Sequence, residues 1–320
     1  MAAKDTYVAA LVAVGLLMQA AACVPYSNWS PRHSLRNHPT HASTIPNVPA
    51  ESPQGRPLLH RTVGNGSRSV LLLGAIHGDE PGSHLLVRDF ETWFRGHASE
   101  FPAVRLIVAT PVNPDGLAAG TRRNAHGVDL NRNFPATNFR PSRSRGSRPL
   151  SEPESRFVAR LLRRFKPTLV ISVHQPRRSV NWDGPAKRLA HAMARLNGYR
   201  AEATVGYATP GSLGSWLGVD RGIPIITLEL PRHPGAGHTF LTENLAALRS
   251  ALEMVASERL DPRTARSFGR IYTLHPPVAG TAIRSGSEIC HDSHVDTSDT
   301  HEDDDESRSG SPGLLSTGGP

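Results

Sequence analysis

The sequence predicts an α/β domain, a sheet of buried strands with helices on both faces, and three observations predict it. Four short runs are apolar at successive positions and rich in β-branched residues: Ser69–Ile76, Val104–Thr110, Leu169–Val173 and Ile223–Leu228. Strands with no solvent-facing side must be covered above and below. Between these runs, apolar residues recur with a helical period in Gly82–Phe94, Glu152–Phe165, Ala186–Leu196 and Thr242–Ala256. Strands alternating with helices define the α/β class.

The punctuation agrees. Gly78 ends the first strand, and Asn113-Pro-Asp-Gly116, a turn-forming sequence, follows the second. Pro167 precedes the third, and Pro231 ends the fourth. Ser151 with Glu154 has the spacing of a capping box opening the second helix.

The 320 residues are 38% hydrophobic and 20% charged, as in a globular protein. The net charge of +8 is uneven: from Ser287 onward the chain carries −8, leaving +16 on the rest. A basic body favours an anionic partner. No helix-turn-helix, zinc-finger or RNA-binding signature accompanies the charge, so nucleic acid is not the expected partner. Carboxylate-rich cell-wall peptides match the charge equally well.

The ends read differently from the middle. Lys4, an uncharged run from Tyr7 to Met18, and Ala20-Ala21-Ala22 before Cys23 have the form of an export signal. The run is too short for a transmembrane helix. Cys23 has the position of a lipoprotein attachment site, which would tether the chain to a membrane surface. The expected division is a signal over 1–23, a Pro- and Ser-rich linker over 24–58, a catalytic domain over 59–257 and an extension over 258–320. The extension is acidic from about residue 285, and its composition predicts disorder. His291, His294 and His301 among its aspartates read as a solvated tail rather than a metal site. Cys23 and Cys290 are the only cysteines, which excludes a thiolate zinc site. A disulfide between them stays open only if Cys23 is not lipidated.

Polar residues follow each buried strand directly, where sites form in open α/β sheets. The first strand runs into His77 and Glu80, the third into His174, and the fourth carries Glu229. Catalytic zinc takes three N or O ligands and keeps one position open. A turn through Gly78 lets His77 and Glu80 reach one ion, and His174 stands at an equivalent strand end. Glu229 is a carboxylate within an apolar run, a costly placement that asks for a purpose such as general base. Alone, each has a blander reading: a chance His-x-x-Glu, a hydrogen-bonded core histidine, a glutamate paired with arginine. Their joint placement at strand ends favours the metal site.

The segment Asn113-Pro-Asp-Gly-Leu-Ala-Ala-Gly-Thr-Arg-Arg-Asn-Ala-His-Gly-Val-Asp-Leu-Asn-Arg-Asn-Phe-Pro135, with His77-Gly-Asp-Glu80, resembles the zinc carboxypeptidase family. Within it the chain looks most like the bacterial murein peptide amidase branch, over roughly residues 60–257. The resemblance implies a central mixed, mostly parallel sheet and one zinc ion on His77, Glu80 and His174. It implies Glu229 as general base and Arg122 as the oxyanion's partner. Asn131 and Arg132 match the pair that holds a substrate's terminal carboxylate, a task that suits the planar fork of arginine. Tyr207 falls where the family has a mobile tyrosine. The implied substrate is a murein peptide cut between D-glutamate and diaminopimelate.

Two departures stand out. The branch is mostly cytoplasmic, whereas this chain carries an export-like start. The Arg- and Ser-rich stretch Phe139–Pro149 also reads as an additional, flexible insert. Three rivals remain: an ordinary metallocarboxypeptidase, an aspartoacylase-like small-molecule deacylase, and a non-catalytic wall-binding lipoprotein.

Overall fold

The four apolar runs pair side by side as the middle of one seven-stranded sheet. The protein is described by a computed structural model over residues 51–203 and 209–257. The candidate export signal, Cys23, Cys290, Tyr207 and the acidic tail lie outside the described residues. The strands are β1 (Arg61–Val63), β2 (Arg68–Leu73), β3 (Val104–Ala109), β4 (Leu169–His174), β5 (Arg177–Asp183), β6 (Arg200–Glu202) and β7 (Ile225–Pro231), in the order β1-β3-β2-β4-β7-β5-β6. β3, β2, β4 and β7 are mutually parallel, while β1 and β5 run antiparallel to their central neighbours. The sheet is mixed and mostly parallel, as the family resemblance implied.

Helices α1 (Pro81–His97), α2 (Pro114–Ala119), α3 (Pro153–Phe165), α4 (Lys187–Asn197) and α5 (Phe240–Ala256) connect and cover it. Alternate strand residues face opposite cores. Val70 and Leu72, with Leu169, Ile171 and Val173, meet α1, α4 and α5 on one side. Leu71 and Leu73, with Val170 and Ile225, meet α3, Phe134 and Trp216 on the other. Full burial of one such Leu or Phe contributes about 2 kcal/mol. Among the described residues no helix is long and apolar enough to cross a membrane.

Three helices begin on a proline, at Pro81, Pro114 and Pro153. Proline is tolerated there because the missing N–H has no intrahelical partner, and its fixed φ suits the first turn. This corrects the expected capping box. Pro153 sets the start of α3 and makes Glu152 the cap residue, so Ser151 lies one position too early. Ser151 donates to Glu152 instead, and Glu154 turns to Asn124.

Two further expectations change. Residues 51–58, expected as the end of a linker, fold back on α2. The buried Asp115 carboxylate accepts from Ser52 Oγ at 2.7 Å, the Gln54 N–H at 3.1 Å and Arg56 Nη1 at 2.7 Å. Leu58 is fully buried. The stretch Phe139–Pro149, expected to be flexible, is tied down by Asn133, whose Nδ2 donates to the carbonyls of Arg145 and Arg148. A buried amide with several partners outweighs the polar composition of that stretch.

Candidate active site

The cleft begins where one sheet face changes from apolar to polar. On that face β4 presents Val170, Ser172 and His174, and β7 presents Ile225, Thr227 and Glu229. The side-chain period of two keeps each row on one side. His174 and Glu229 are directly paired across β4 and β7. α3 covers the apolar half of this face, and a cleft of about 300 Å³ opens over the polar half.

His77 and Glu80 reach the cleft from the turn between β2 and α1. Two hydrogen bonds brace that turn: the Ala75 N–H donates to Ser83 Oγ at 2.9 Å, and Ser83 Oγ donates to the Glu80 carbonyl at 2.6 Å. Gly78 is required by close approach, because a Cβ there would overlap the backbone of Gly116 in α2. Asn113 caps α2 by accepting from the Gly116 N–H at 2.8 Å. The Asn113-Pro-Asp-Gly116 sequence therefore positions the turn.

The His77, Glu80 and His174 side chains converge. Glu80 Oε1 lies 2.7 Å from His77 Nδ1, Glu80 Oε2 lies 2.9 Å from His174 Nδ1, and the two Nδ1 atoms are 3.2 Å apart. All three residues are buried, and together they could hold a metal ion. Ligands of a tetrahedral zinc at ordinary bond lengths stand about 3.3 Å apart, close to this spacing. Two imidazole nitrogens facing each other beside a carboxylate need a positive charge between them. A zinc ion bound there would supply it. Burial opposes the charged form of His77, but Glu80 and Asp129 outweigh it and hold its pKa well above the ordinary value. Burial disfavours the Glu80 carboxylate, but His174 and His77 outweigh it and hold its pKa well below the usual range. The donor set fits zinc.

The outer nitrogens are also fixed. His77 Nε2–H donates to Asp129 Oδ1 at 3.0 Å, and His174 Nε2 lies 3.0 Å from Ser172 Oγ. Such partners set the tautomer and ring orientation of a metal-binding histidine. Asp129 Oδ2 accepts from Arg122 Nε at 3.1 Å, and Arg122 Nη1 lies 3.5 Å from Glu80. The Asp129 pKa is well below the usual carboxylate range: burial opposes ionisation, and the His77 and Arg122 contacts overcome it.

Glu229 is buried, and its Oε2 has no hydrogen-bond partner. Burial, countered in part by His174, raises its pKa. A desolvated carboxylate with a free oxygen is suited to accept a proton. Asn131 and Arg132 border the same cleft. Asn131 Oδ1 accepts the Leu213 N–H at 3.0 Å, which leaves its amide NH2 to donate.

A family model described as zinc carboxypeptidase matches residues 34–188. Murein peptide amidase A of Escherichia coli strain K12 is 34% identical over 198 residues, 55% of this chain and 77% of that one. The chain belongs to the zinc carboxypeptidase family. Murein peptide amidase A of Vibrio campbellii is 34% identical over 196 residues, 55% of this chain and 75% of that one. The solved carboxypeptidase A of Helicoverpa armigera, 17% identical, superposes with a TM-score of 0.56 over 66% of this chain and 68% of that one, which shows a shared fold. As a zinc carboxypeptidase the protein is a zinc metallopeptidase.

Two residues of this carboxypeptidase site escaped the sequence reading. Asp129 stands inside the Asp129-Leu-Asn-Arg132 run, and its spacing from Asn131 and Arg132 was the available signal. Gln175 accepts the Gly82 N–H at 2.8 Å and donates to the carbonyls of Pro231 and Arg232. It fastens the metal turn to the ends of β4 and β7, and no local sequence pattern marks it.

Proposed function

We propose that this metallopeptidase hydrolyses the amide bond before a residue with a free α-carboxylate in a murein peptide, between D-glutamate and diaminopimelate. The observation that carries the reading is the convergence of His77, Glu80 and His174 beside Glu229, with Asn131 and Arg132 bordering the same cleft. The similarity to two murein peptide amidases supports the choice of substrate.

His77 Nδ1, Glu80 and His174 Nδ1 would hold zinc. Zinc supplies Lewis acidity there, polarising a carbonyl and lowering the pKa of water. Asn131 Nδ2 and the Arg132 guanidinium bind the substrate's carboxylate and set the scissile carbonyl in place. Glu229 takes a proton from the attacking water and returns it to the leaving amine. Arg122, held by Asp129, donates to the oxygen on which charge develops.

The test is zinc-loaded protein with L-alanyl-γ-D-glutamyl-diaminopimelate. Release of diaminopimelate is expected. Cleavage of ordinary peptides without that release would replace this reading with an ordinary metallocarboxypeptidase. We further propose that the protein is exported and acylated at Cys23, on the strength of Lys4, the apolar run and the three alanines. Mass spectrometry of the mature N-terminus tests this.

A further inference from the structure

The stretch from Arg140 to Lys166 holds nine basic residues and two acids. Both acids face inward: Glu152 and Glu154 are buried and share the amide of Asn124. Among the described residues no arginine or lysine of this stretch pairs with a carboxylate. Elsewhere Arg61, Arg95, Arg122 and Arg249 each hold one within 3.1 Å.

The helix sets part of this charge in a row. Arg156, Arg160 and Arg163 stand at i, i+4 and i+7 of α3, on the face opposite the buried Val158, Leu161 and Leu162. Like charges therefore lie side by side on one rigid element. Burial, with the Arg156 and Arg163 guanidinium groups adding to it, lowers the Arg160 pKa. The stretch Phe139–Pro149 extends the row. Asn133 Nδ2 donates to the carbonyls of Arg145 and Arg148 and to Ser151 Oγ, which fastens that stretch to the start of α3. Arg143, Arg148, Arg163 and Arg164 are exposed. Crowded cations without counter-charges favour an anionic partner.

We propose that the arginine face of α3, with the adjoining Phe139–Pro149 stretch, docks on the anionic headgroups of a phospholipid bilayer. This goes beyond the hydrolase reading and is independent of it. It rests on the tether proposed at Cys23 only for the choice of a lipid surface.

Three placements favour a bilayer. The chain enters the domain on this side of the sheet: Leu58 packs in the same core as α3, and the rings of His60 and Phe165 lie 5.4 Å apart. A tether at Cys23 would therefore lead to the side that carries the arginines. The charge is spread and not gathered in a pocket, since Arg156 to Arg163 alone covers about 11 Å of helix axis. Among the described residues the exposed large hydrophobics are Leu196 and Val219, neither of them here. The contact is thus one of charge at headgroup level, without insertion of apolar side chains.

The experiment uses full-length Cys23→Ser protein, which takes no acyl chain at that position. It is sedimented with vesicles of phosphatidylcholine, or of phosphatidylcholine mixed with phosphatidylglycerol. Tighter binding to the mixed vesicles is expected, weakening as salt is raised. Each basic residue at an anionic surface contributes roughly five-fold in affinity. Adding Arg148→Gln, Arg163→Gln and Arg164→Gln should therefore weaken binding to the mixed vesicles about 100-fold. All three side chains are exposed, so Tm should not move. Equal affinity for the two kinds of vesicle, or undiminished binding by the Gln protein, would overturn the proposal. Retention on duplex DNA with none on vesicles would also overturn it, and would make the partner a nucleic acid. The readout needs no turnover, so a protein that cleaves no murein peptide would fail the hydrolase reading and leave this one standing.

Discussion

Asp129 orients His77: its Oδ1 lies 3.0 Å from the ring Nε2, while its other oxygen holds Arg122. One carboxylate therefore joins the candidate metal site to Arg122, the arginine proposed for the oxyanion. Asp129→Ala is expected to lower zinc affinity about 10- to 100-fold, the usual effect of removing such a partner. Competition with a chelator measures it. Asp129→Asn keeps an acceptor for His77 but offers Arg122 no charge. It should retain more of the zinc affinity than Asp129→Ala while kcat falls. Equal zinc affinity in wild type and Asp129→Ala would remove Asp129 from this role.

Glu229 has a free buried oxygen, and the Arg177 backbone N–H that it accepts can still be met by the amide oxygen of glutamine. Glu229→Gln should therefore fold, bind zinc stoichiometrically and lose turnover by about 10²- to 10⁴-fold, the range for a general base. Metal analysis alongside kcat decides the matter. Full turnover in a zinc-loaded Gln protein would contradict the assignment.

Arg132→Ala addresses substrate anchoring. Loss of a charged hydrogen bond predicts a fall in kcat/KM of roughly 10- to 100-fold for a substrate with a free carboxylate. The same substrate amidated at that carboxylate should be cleaved slowly by both proteins, and at similar rates. A wild-type protein indifferent to amidation would show that the carboxylate is not read.

Glu154 provides a pH-dependent test of stability away from the metal. It is fully buried at the start of α3, with Oε2 accepting from Asn124 Nδ2 at 3.1 Å and Oε1 unpartnered. Burial, with the nearby Glu152 and Asp115 carboxylates adding to it, raises its pKa from 4.5 to about 7. The folded state then binds the proton more tightly than the unfolded chain. Its contribution is present below pH 4.5 and is lost as pH rises through about 7. The loss is at most roughly 3 kcal/mol. Urea unfolding of Glu154→Gln should show a weaker decline between pH 5 and pH 8.5 than wild type. Parallel declines would mean that Glu154 does not titrate in this range.

The four central strands were legible because burial on both faces leaves an unbroken apolar run. β5 was not, since Arg177-Arg-Ser-Val-Asn-Trp-Asp183 has one face on the cleft and reads as polar. β1 and β6, at the sheet edges, are three residues each and too short for a period. The metal-site residues were legible because His77, Glu80, His174 and Glu229 interrupt or end apolar runs, where a polar residue asks for a reason. Asp129 and Gln175 act through partners far away in the chain. Gln175 bonds Gly82, 93 positions earlier, and no local spacing carries that information.

The backbone contact between Gly78 and Gly116 has a consequence for transplanting this site. The turn that carries His77 and Glu80 rests on the first turn of α2, and the chain leaving α2 leads to Arg122. Asp115, one residue before Gly116, holds residues 52–56 in the same cluster. These four segments form one module with a single inner joint. A designer moving the metal turn to another scaffold would have to carry α2 and its strap along, and exchanging the turn alone between relatives should succeed only where the opposing glycine is also present.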